Sequence, residues 1–237
     1  MTASTASSPV DELGPHPAAL PKRLVAEAIG TAFLLAVVVG SGIMAKELFR
    51  DSDGLALLAN AIATGGGLVA LILTFGSISG AHFNPVVTII DATSGGLRWT
   101  DVPAYIGAQL AGAIAGVFAA HAMFERAVLE TSHHARAGGA LLFSEFVATF
   151  GLIAVISSVA RRRPEGVPYA VGAYITAAYW FTPSTSFANP AVTIARTMTD
   201  TFAGIRPADA PGFIGAQVVG AFAAAGLMRW LLSGGTR

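Results

Sequence analysis

The stretch SISGAHFNPVVTI, residues 77–89, decides how this sequence folds, because a counterpart, STSFANPAVTIAR, follows at residues 184–196. Both contain the pattern Asn-Pro-x-Val-Thr-Ile, and the two asparagines lie 105 positions apart, at 84 and 189. Asparagine is a favoured N-cap and proline is well tolerated as the first helical residue, so each pair predicts the start of a helix. The apolar runs that follow, 84–93 and 189–202, are too short to span a membrane. Such short helices are tolerated at membrane depth where they are buried in protein or line a water-filled cavity.

The composition is that of a membrane protein. Hydrophobic residues make up 54% of the 237 residues and charged residues 12%, which is about half the charged fraction of a soluble domain. The mean hydropathy is +0.64. A formal net charge of zero gives no sign of a nucleic-acid partner. The sequence has no cysteine, which excludes disulfides and thiolate metal sites, and we expect no metal and no cofactor.

Six apolar segments are candidates to span the bilayer, which takes about 20 apolar residues in a helix. The fifth is short because Pro183 stops it. The first 21 residues are rich in Ala, Ser and Pro and lack the basic start and apolar core of a signal peptide, so we predict a disordered N-terminal tail over 1–21. The predicted fold class is an all-α membrane protein with six transmembrane helices plus two half-helices. The six segments are 24–45, 55–79, 102–124, 139–160, 167–182 and 211–232.

The orientation follows from the lysines and arginines, which are enriched on the cytoplasmic side of membrane proteins. Six helices place both termini on one side, and eight basic residues then share that side, against six on the other. The compact run Arg161-Arg162-Arg163 decides the choice. We predict a multi-pass protein of the plasma (inner) membrane with both termini in the cytoplasm.

The chain is an internal repeat. AEAIGTAF (26–33) resembles SEFVATFG (144–151), which pairs Glu27 with Glu145, and GAQLAGAIAG (107–116) resembles GAQVVGAFAA (215–224), which pairs Gln109 with Gln217. Each half, about 23–130 and 139–233, holds three spanning helices, and an odd number inverts the second half relative to the first. The two short helices then meet N-terminus to N-terminus. Their positive ends and the amides of the two asparagines disfavour cations and admit neutral solutes that carry oxygens.

These motifs resemble the aquaporin or major intrinsic protein family over about residues 23–232, the greater part of a predicted channel domain at 22–237. The resemblance implies a homotetramer with one pore per subunit and passive, bidirectional permeation of water or small neutral solutes. It implies that Glu27 and Glu145 accept hydrogen bonds from the re-entrant loops, and that the carbonyls of 80–82 and 185–186 form an acceptor ladder. The motif residues are Asn84, Pro85, Val86, Asn189, Pro190 and Ala191, and the ladder residues are Gly80, Ala81, His82, Thr185 and Ser186.

The sequence departs from the family at the positions that the resemblance assigns to the selectivity filter. Most members carry an arginine three residues after the second asparagine, where this chain has Val192. The other filter positions fall on Thr64, on Ala177 or Ala178, and on Ser186. Arg196 comes one helical turn after Val192, about 6 Å further along the short helix by helical rise. We expect Arg196 to be structural or salt-bridging, and we expect a wide filter with no large ring and no positive charge.

A wide, partly apolar filter favours a channel of broad selectivity, for glycerol, urea, neutral metalloids such as arsenous acid, and water. The segment AYITAAYWFTPSTSFANPAVTIAR (173–196) is similar to a bacterial subgroup associated with arsenic-resistance operons. A water-selective aquaporin is the alternative. A secondary transporter, which shares inverted repeats and broken helices, and a closed structural membrane protein are rival classes. An enzyme is not expected, because the sequence shows no nucleophile–base pairing, metal cluster or phosphate loop.

Overall fold

The computed structural model describes residues 18–233 and is a bundle of eight α-helices. Two of the eight, α3 and α7, are half-helices, which matches the predicted fold class. The helices are α1 Leu20–Leu48, α2 Asp53–Ser79, α3 Pro85–Thr93, α4 Val102–Met123, α5 Gly139–Arg162, α6 Val167–Phe181, α7 Pro190–Ala195 and α8 Ala210–Leu232, with short 3₁₀ turns at Pro164–Gly166, Arg196–Met198 and Pro207–Asp209.

The spanning helices follow the predicted segments, and their ends differ from the prediction by four residues or fewer. Helix α1 begins at Leu20, with Pro21 in its first turn, so residues 20 and 21 belong to the helix and not to the predicted tail. The rest of the tail prediction, residues 1–17, lies outside the described part of the chain. Four long helices and α8 with its preceding turn are long and apolar enough to cross a membrane. Helix α6 has 15 residues and stops at Phe181, because Thr182 is extended ahead of Pro183.

The inverted repeat is visible in the packing. Helix α1 packs against α2 and α4, and α5 packs in the same way against α6 and α8. The contact between α2 and α6 joins the two halves. The last contact is close because a Cβ atom on Gly172 would lie 2.7 Å from the Gly65 carbonyl oxygen. Small residues at such crossings let helix backbones approach within a membrane.

Both Asn-Pro pairs begin half-helices, as predicted. Asn84 caps α3 by accepting from the Val86 amide, and Asn189 caps α7 by accepting from the amides of Ala191 and Val192. The second half-helix is shorter than the predicted 189–202. Beyond Ala195 the helical hydrogen bonds give way to bonds with two loops. The Arg196 carbonyl accepts from the Ile205 amide, and the Thr197 carbonyl accepts from the Ser132 amide.

The bundle has two distinct ends. At one end, called the terminal end, Leu20 packs near Leu97, and Arg229 of α8 donates to the Thr93 carbonyl at the end of α3. The opposite end, called the far end, holds the loops 49–52, 124–138 and 199–206. Helix α3 runs from mid-bundle toward the terminal end, and α7 runs from mid-bundle toward the far end.

Candidate functional site

The two asparagines join the half-helices at the middle of the bundle. The Asn84 Nδ2 donates to the Ala188 carbonyl and the Asn189 Nδ2 donates to the Phe83 carbonyl, each at 2.8 Å. Both side chains are buried and line a large internal cavity, called the main cavity. Each amide nitrogen carries two hydrogens, so each keeps a second donor after this bond is made.

The loops that lead into α3 and α7 have an unusual backbone. Ala81 and Phe83 in the first loop have φ values of 49° and 47°, and Thr185, Ser186 and Ala188 in the second have 63°, 50° and 48°. Left-handed conformations cost free energy in residues other than glycine and persist where the surrounding structure enforces them. Both loops therefore need fixed hydrogen-bonding partners.

Glu27 of α1 supplies those partners for the first loop. Its carboxylate accepts from the Ser79 hydroxyl at 2.6 Å and from the amides of His82 and Phe83 at 3.0 and 2.7 Å. Gln109 of α4 donates to the same carboxylate at 2.8 Å and to the Thr88 hydroxyl at 2.8 Å. A fully buried charge is tolerated when several donors satisfy it, and this carboxylate has four.

Glu145 of α5 repeats the arrangement in the second half. It accepts from the amides of Phe187 and Ala188, each at 2.9 Å, and from Gln217 at 2.6 Å. Gln217 also donates to the Thr193 hydroxyl at 2.9 Å. The sequence echoes of Glu, Asn-Pro and Gln therefore correspond to one repeated hydrogen-bonding unit that holds each loop in place.

The main cavity has a volume of about 1210 Å³ and extends along the bundle on both sides of Asn84 and Asn189. At the terminal end it is lined by His82, Asp91 and Arg229, and toward the far end it reaches Thr64 and Arg196. Apolar side chains such as Leu68, Ile72, Leu152 and Ile156 form much of the wall.

A second cavity of about 610 Å³ lies at the far end among charged side chains, including Lys46, Asp53, Arg126 and Asp200. The two cavities share no lining residue in the described part of the chain. The main cavity therefore ends near the level of Thr64 and Arg196.

Three of the predicted filter residues lie on the main cavity, and the predicted α6 residues do not. Thr64, Ser186 and Val192 line it, and the buried Ser186 Oγ has no hydrogen-bonding partner among the described residues. Ala177 is exposed on the outside of the bundle, and Ala178 is buried away from the cavity.

Tyr179 is the residue that α6 contributes at this level. It is buried, lines the cavity and lies 3.1 Å from the Thr64 hydroxyl through its own hydroxyl oxygen. Val171, Ile175 and Tyr179 line the cavity at intervals of four, which is one face of a helix. That spacing could have identified the tyrosine in the sequence, and its ring lies at a level of the cavity where we expected only small side chains.

The other predicted site residues separate into lining and supporting positions. Gly80, Ala81 and His82 line the cavity, whereas the Thr185 amide closes a turn onto the Thr182 carbonyl and Thr185 is not a lining residue. The motif residues Pro85, Val86, Pro190 and Ala191 are buried but do not line it.

His82 and Val87 add side chains to the terminal half of the cavity. The His82 Nδ1 lies 3.1 Å from the Thr88 hydroxyl and its Nε2 lies 3.6 Å from Asp91. Val87 lines the cavity in place of its predicted neighbour Val86. Sequence reasoning missed Val87 because the short motif alone does not reveal which side of α3 faces the cavity.

Arg196 agrees with only part of its prediction, which was a structural or salt-bridging role. It is 2% exposed, lines the main cavity and makes no salt bridge with a described carboxylate. Its guanidinium carbon lies 3.4 Å from the centroid of the Phe187 ring, and its Nε donates to the Ala203 carbonyl. These contacts fit the structural part of the prediction, and no described carboxylate fits the salt-bridging part. A guanidinium nevertheless lies on the wall of a cavity that we expected to be free of positive charge.

Comparison with known proteins places the chain among membrane channels. A family model described as MIP, Major intrinsic protein, matches residues 16–182. The chain is 57% identical over 213 residues to Aquaglyceroporin AqpS of Rhizobium meliloti (strain 1021), covering 90% of this chain and 91% of that protein. It is 36% identical over 181 residues to Aquaporin NIP1-3 of Oryza sativa subsp. japonica, covering 73% and 62%.

A solved structure agrees with the fold. The aquaglyceroporin from Plasmodium falciparum matches with a TM-score of 0.67 and 21% identity, covering 92% of this chain and 97% of that one. Paired half-helices, a cavity that passes their capping asparagines and a family match over more than half of the sequence thus agree. The chain belongs to the major intrinsic protein family, whose members are passive membrane channels and not enzymes.

Proposed function

We propose that this chain is a channel of broad selectivity that conducts glycerol, urea, neutral metalloids such as arsenous acid, and water. The observation that carries the proposal is the cavity of about 1210 Å³ that passes Asn84 and Asn189. The name of the Rhizobium meliloti relative, an aquaglyceroporin, supports solutes of this kind.

The walls of the cavity suit small molecules that have both apolar and polar faces. Leu68, Ile72 and Ile156 offer apolar surface, and the asparagine amides with Ser186 offer hydrogen-bonding groups. A polyol can keep its hydroxyls on the polar groups and its carbons on the apolar wall. In the proposed role, the backbone carbonyls of Ala81 and His82 accept hydrogen bonds from the hydroxyls of the polyol.

A water-selective channel is the second candidate, because two observations favour it over the sequence prediction. Tyr179 brings a ring to the level of Thr64, and Arg196 brings a cation close by. Both reduce the width that the small residues at 64, 186 and 192 would leave. Solute permeability distinguishes the two candidates.

The proposed setting is a homotetramer in the plasma (inner) membrane, with both termini in the cytoplasm. Large apolar side chains on the outside of the bundle support burial against lipid or neighbouring copies, among them Phe33, Ile62, Phe143, Val219 and Phe222. The basic run Arg161-Arg162-Arg163 at the terminal end supports a cytoplasmic location for that end.

Stopped-flow light scattering on proteoliposomes tests the function. The purified chain is reconstituted, and shrinkage and re-swelling are followed in gradients of glycerol, urea and arsenous acid, with water flux measured in sucrose. Broad selectivity predicts faster re-swelling with all three solutes than in empty liposomes. Water flux without solute flux would establish the water-selective alternative, and no flux at all would contradict both.

A further inference from the structure

Arg196 is a buried cation on the wall of the pathway. The backbone fixes its position, because its carbonyl accepts from the Ile205 amide and its Nε donates to the Ala203 carbonyl. The Phe187 ring covers one face of the guanidinium at 3.4 Å. Such stacking holds a planar guanidinium in one orientation and is stronger when the pair is desolvated.

Among residues 18–233, no carboxylate forms a salt bridge that would neutralise this charge. Glu145 lies near enough to influence Arg196 electrostatically, but its oxygens already accept from the Phe187 and Ala188 amides and from Gln217. A second cation, Arg136, lies 5.1 Å from the same Phe187 ring. The local field is therefore positive where the main cavity ends, near Arg196.

Arg136 has a different environment, and it lies further from the Phe187 ring, at 5.1 Å, than Arg196 does, at 3.4 Å. Its guanidinium donates to the carbonyls of Ser184, Phe202 and Gly204, and it lines neither cavity. Burial lowers the pKa of Arg136 to about 10, so it stays charged at neutral pH. The chain thus offers two neighbouring buried cations, of which Arg196 faces the pathway.

We infer that Arg196, seven residues after Asn189, supplies the fixed positive charge that excludes cations and protons from the pathway. The proposal deepens the proposed channel function and rests on it. A fixed charge on a desolvated wall repels a passing cation far more strongly than the same charge in water. The guanidinium also donates hydrogen bonds, and the Ser186 hydroxyl has no partner among the described residues. Neutral solutes that carry oxygens can therefore bond to both groups as they pass.

Proton and sodium leak measured beside glycerol flux tests this inference. Proteoliposomes containing a pH dye are given a potassium gradient with valinomycin, and glycerol uptake is followed in the same preparation. Arg196→Met keeps the length of the side chain without its charge, and it should raise the leak by about tenfold or more while glycerol still passes. Arg196→Lys should restore exclusion.

Arg136→Met is the matched control, because it removes a buried cation beside the same ring but away from the cavity. Its leak should stay at the wild-type level. If folded Arg196→Met excludes protons and sodium as the wild type does, or if Arg136→Met leaks equally, the inference is overturned.

Phe187→Leu covers the case in which Arg196→Met does not fold. It keeps the backbone amide that Glu145 accepts from and removes the ring that orients the guanidinium, so an intermediate leak is expected. A folded Phe187→Leu that leaks no more than the wild type would overturn the inference. Failure of the channel proposal is separate, since it would appear as absent glycerol flux in the wild type, whatever the leak.

Discussion

Asn84 and Asn189 each donate a side-chain hydrogen bond, at 2.8 Å, to the backbone carbonyl that immediately precedes the other. The cap of one half-helix is thus bonded to the loop that leads into the other. These two bonds tie the halves of the repeat together, in addition to the bonds that each half makes to its own loop. The inverted repeat builds one site from two copies of a motif that is incomplete by itself.

Asn84→Ala and Asn189→Ala should each destabilise the protein and impair solute flux. Each variant loses an N-cap and a cross-loop hydrogen bond, and we expect a cost of about 1–3 kcal/mol. Thermal unfolding in detergent and glycerol flux in proteoliposomes measure the two effects.

Asn60→Ala is the control for the asparagine variants. Asn60 is 1% exposed and donates to the Val38 carbonyl and the Ser41 hydroxyl, but it lines neither cavity. The Asn60→Ala variant should lose about as much stability as the other two asparagine variants, but its solute flux per folded channel should match that of the wild type. Equal flux losses in all three variants would argue against a special role for the capping asparagines.

Glu27→Gln should lower stability more than the loss of one hydrogen bond would. The wild-type carboxylate accepts from four donors, and a glutamine side chain places an NH₂ group against two of them. We expect a cost of about 2–4 kcal/mol, since bonds to a charged acceptor are stronger and orphaned donors are costly. Thermal unfolding of the purified variant is the measurement.

Glu145→Gln repeats the experiment in the other half of the chain. Its carboxylate accepts from three donors and not four, so the loss should be similar or somewhat smaller. Gln109→Leu removes one donor to Glu27 and leaves the carboxylate, and it should cost less than Glu27→Gln. A neutral effect of both Glu variants would show that the loops hold their left-handed backbone without these carboxylates.

The helices and the half-helices were predictable from sequence because their signals are local. Apolar length predicts a span, and an Asn-Pro pair predicts a cap followed by a first turn. The repeated Glu and Gln positions likewise predicted the residues that now meet around Ser79 and Thr88. These inferences needed no knowledge of how distant loops pack.

The filter was predicted less well because it depends on register and on distant loops. The cavity-lining residue of α6 at this level is Tyr179, one position after Ala178, and the motif spacing alone did not fix the register of this helix. Arg196 faces the cavity because α7 ends before it and its carbonyl accepts a hydrogen bond from the Ile205 amide. No local sequence pattern predicts this contact between distant residues. Tyr179 and Arg196 thus add a ring and a charge to a cavity wall that we expected to be wider and more neutral.

Tyr179→Phe should alter selectivity with little change in stability. It removes the hydroxyl that lies 3.1 Å from Thr64 and leaves the ring on the cavity wall. We expect the ratio of glycerol to water permeability to fall by about threefold to tenfold, because a polyol loses a partner that water needs less. Stopped-flow measurements give both permeabilities.

Tyr174→Phe is the control on the same helix. The Tyr174 hydroxyl donates to the Ala148 carbonyl at 3.0 Å, and the residue does not line the cavity. Its permeability ratio should match that of the wild type. An unchanged ratio in Tyr179→Phe would mean that the ring acts through size alone.

Val192→Arg should reduce glycerol and urea flux while water still passes. Val192 is 5% exposed and lines the cavity one turn before Arg196, so a second guanidinium there would occupy space that larger solutes need. We expect a loss of about tenfold or more in solute flux, equivalent to about 1.4 kcal/mol in the barrier. The measurement is the series of osmotic gradients used for the wild type.

Val192→Leu separates bulk from charge at that position. It adds one methylene and no hydrogen-bonding group, so solute flux should stay within about twofold of the wild type. If Val192→Leu blocks solutes as strongly as Val192→Arg, the pathway is limited by volume at this level. If Val192→Arg passes glycerol freely, the narrowest point lies elsewhere, toward the far end beyond Arg196.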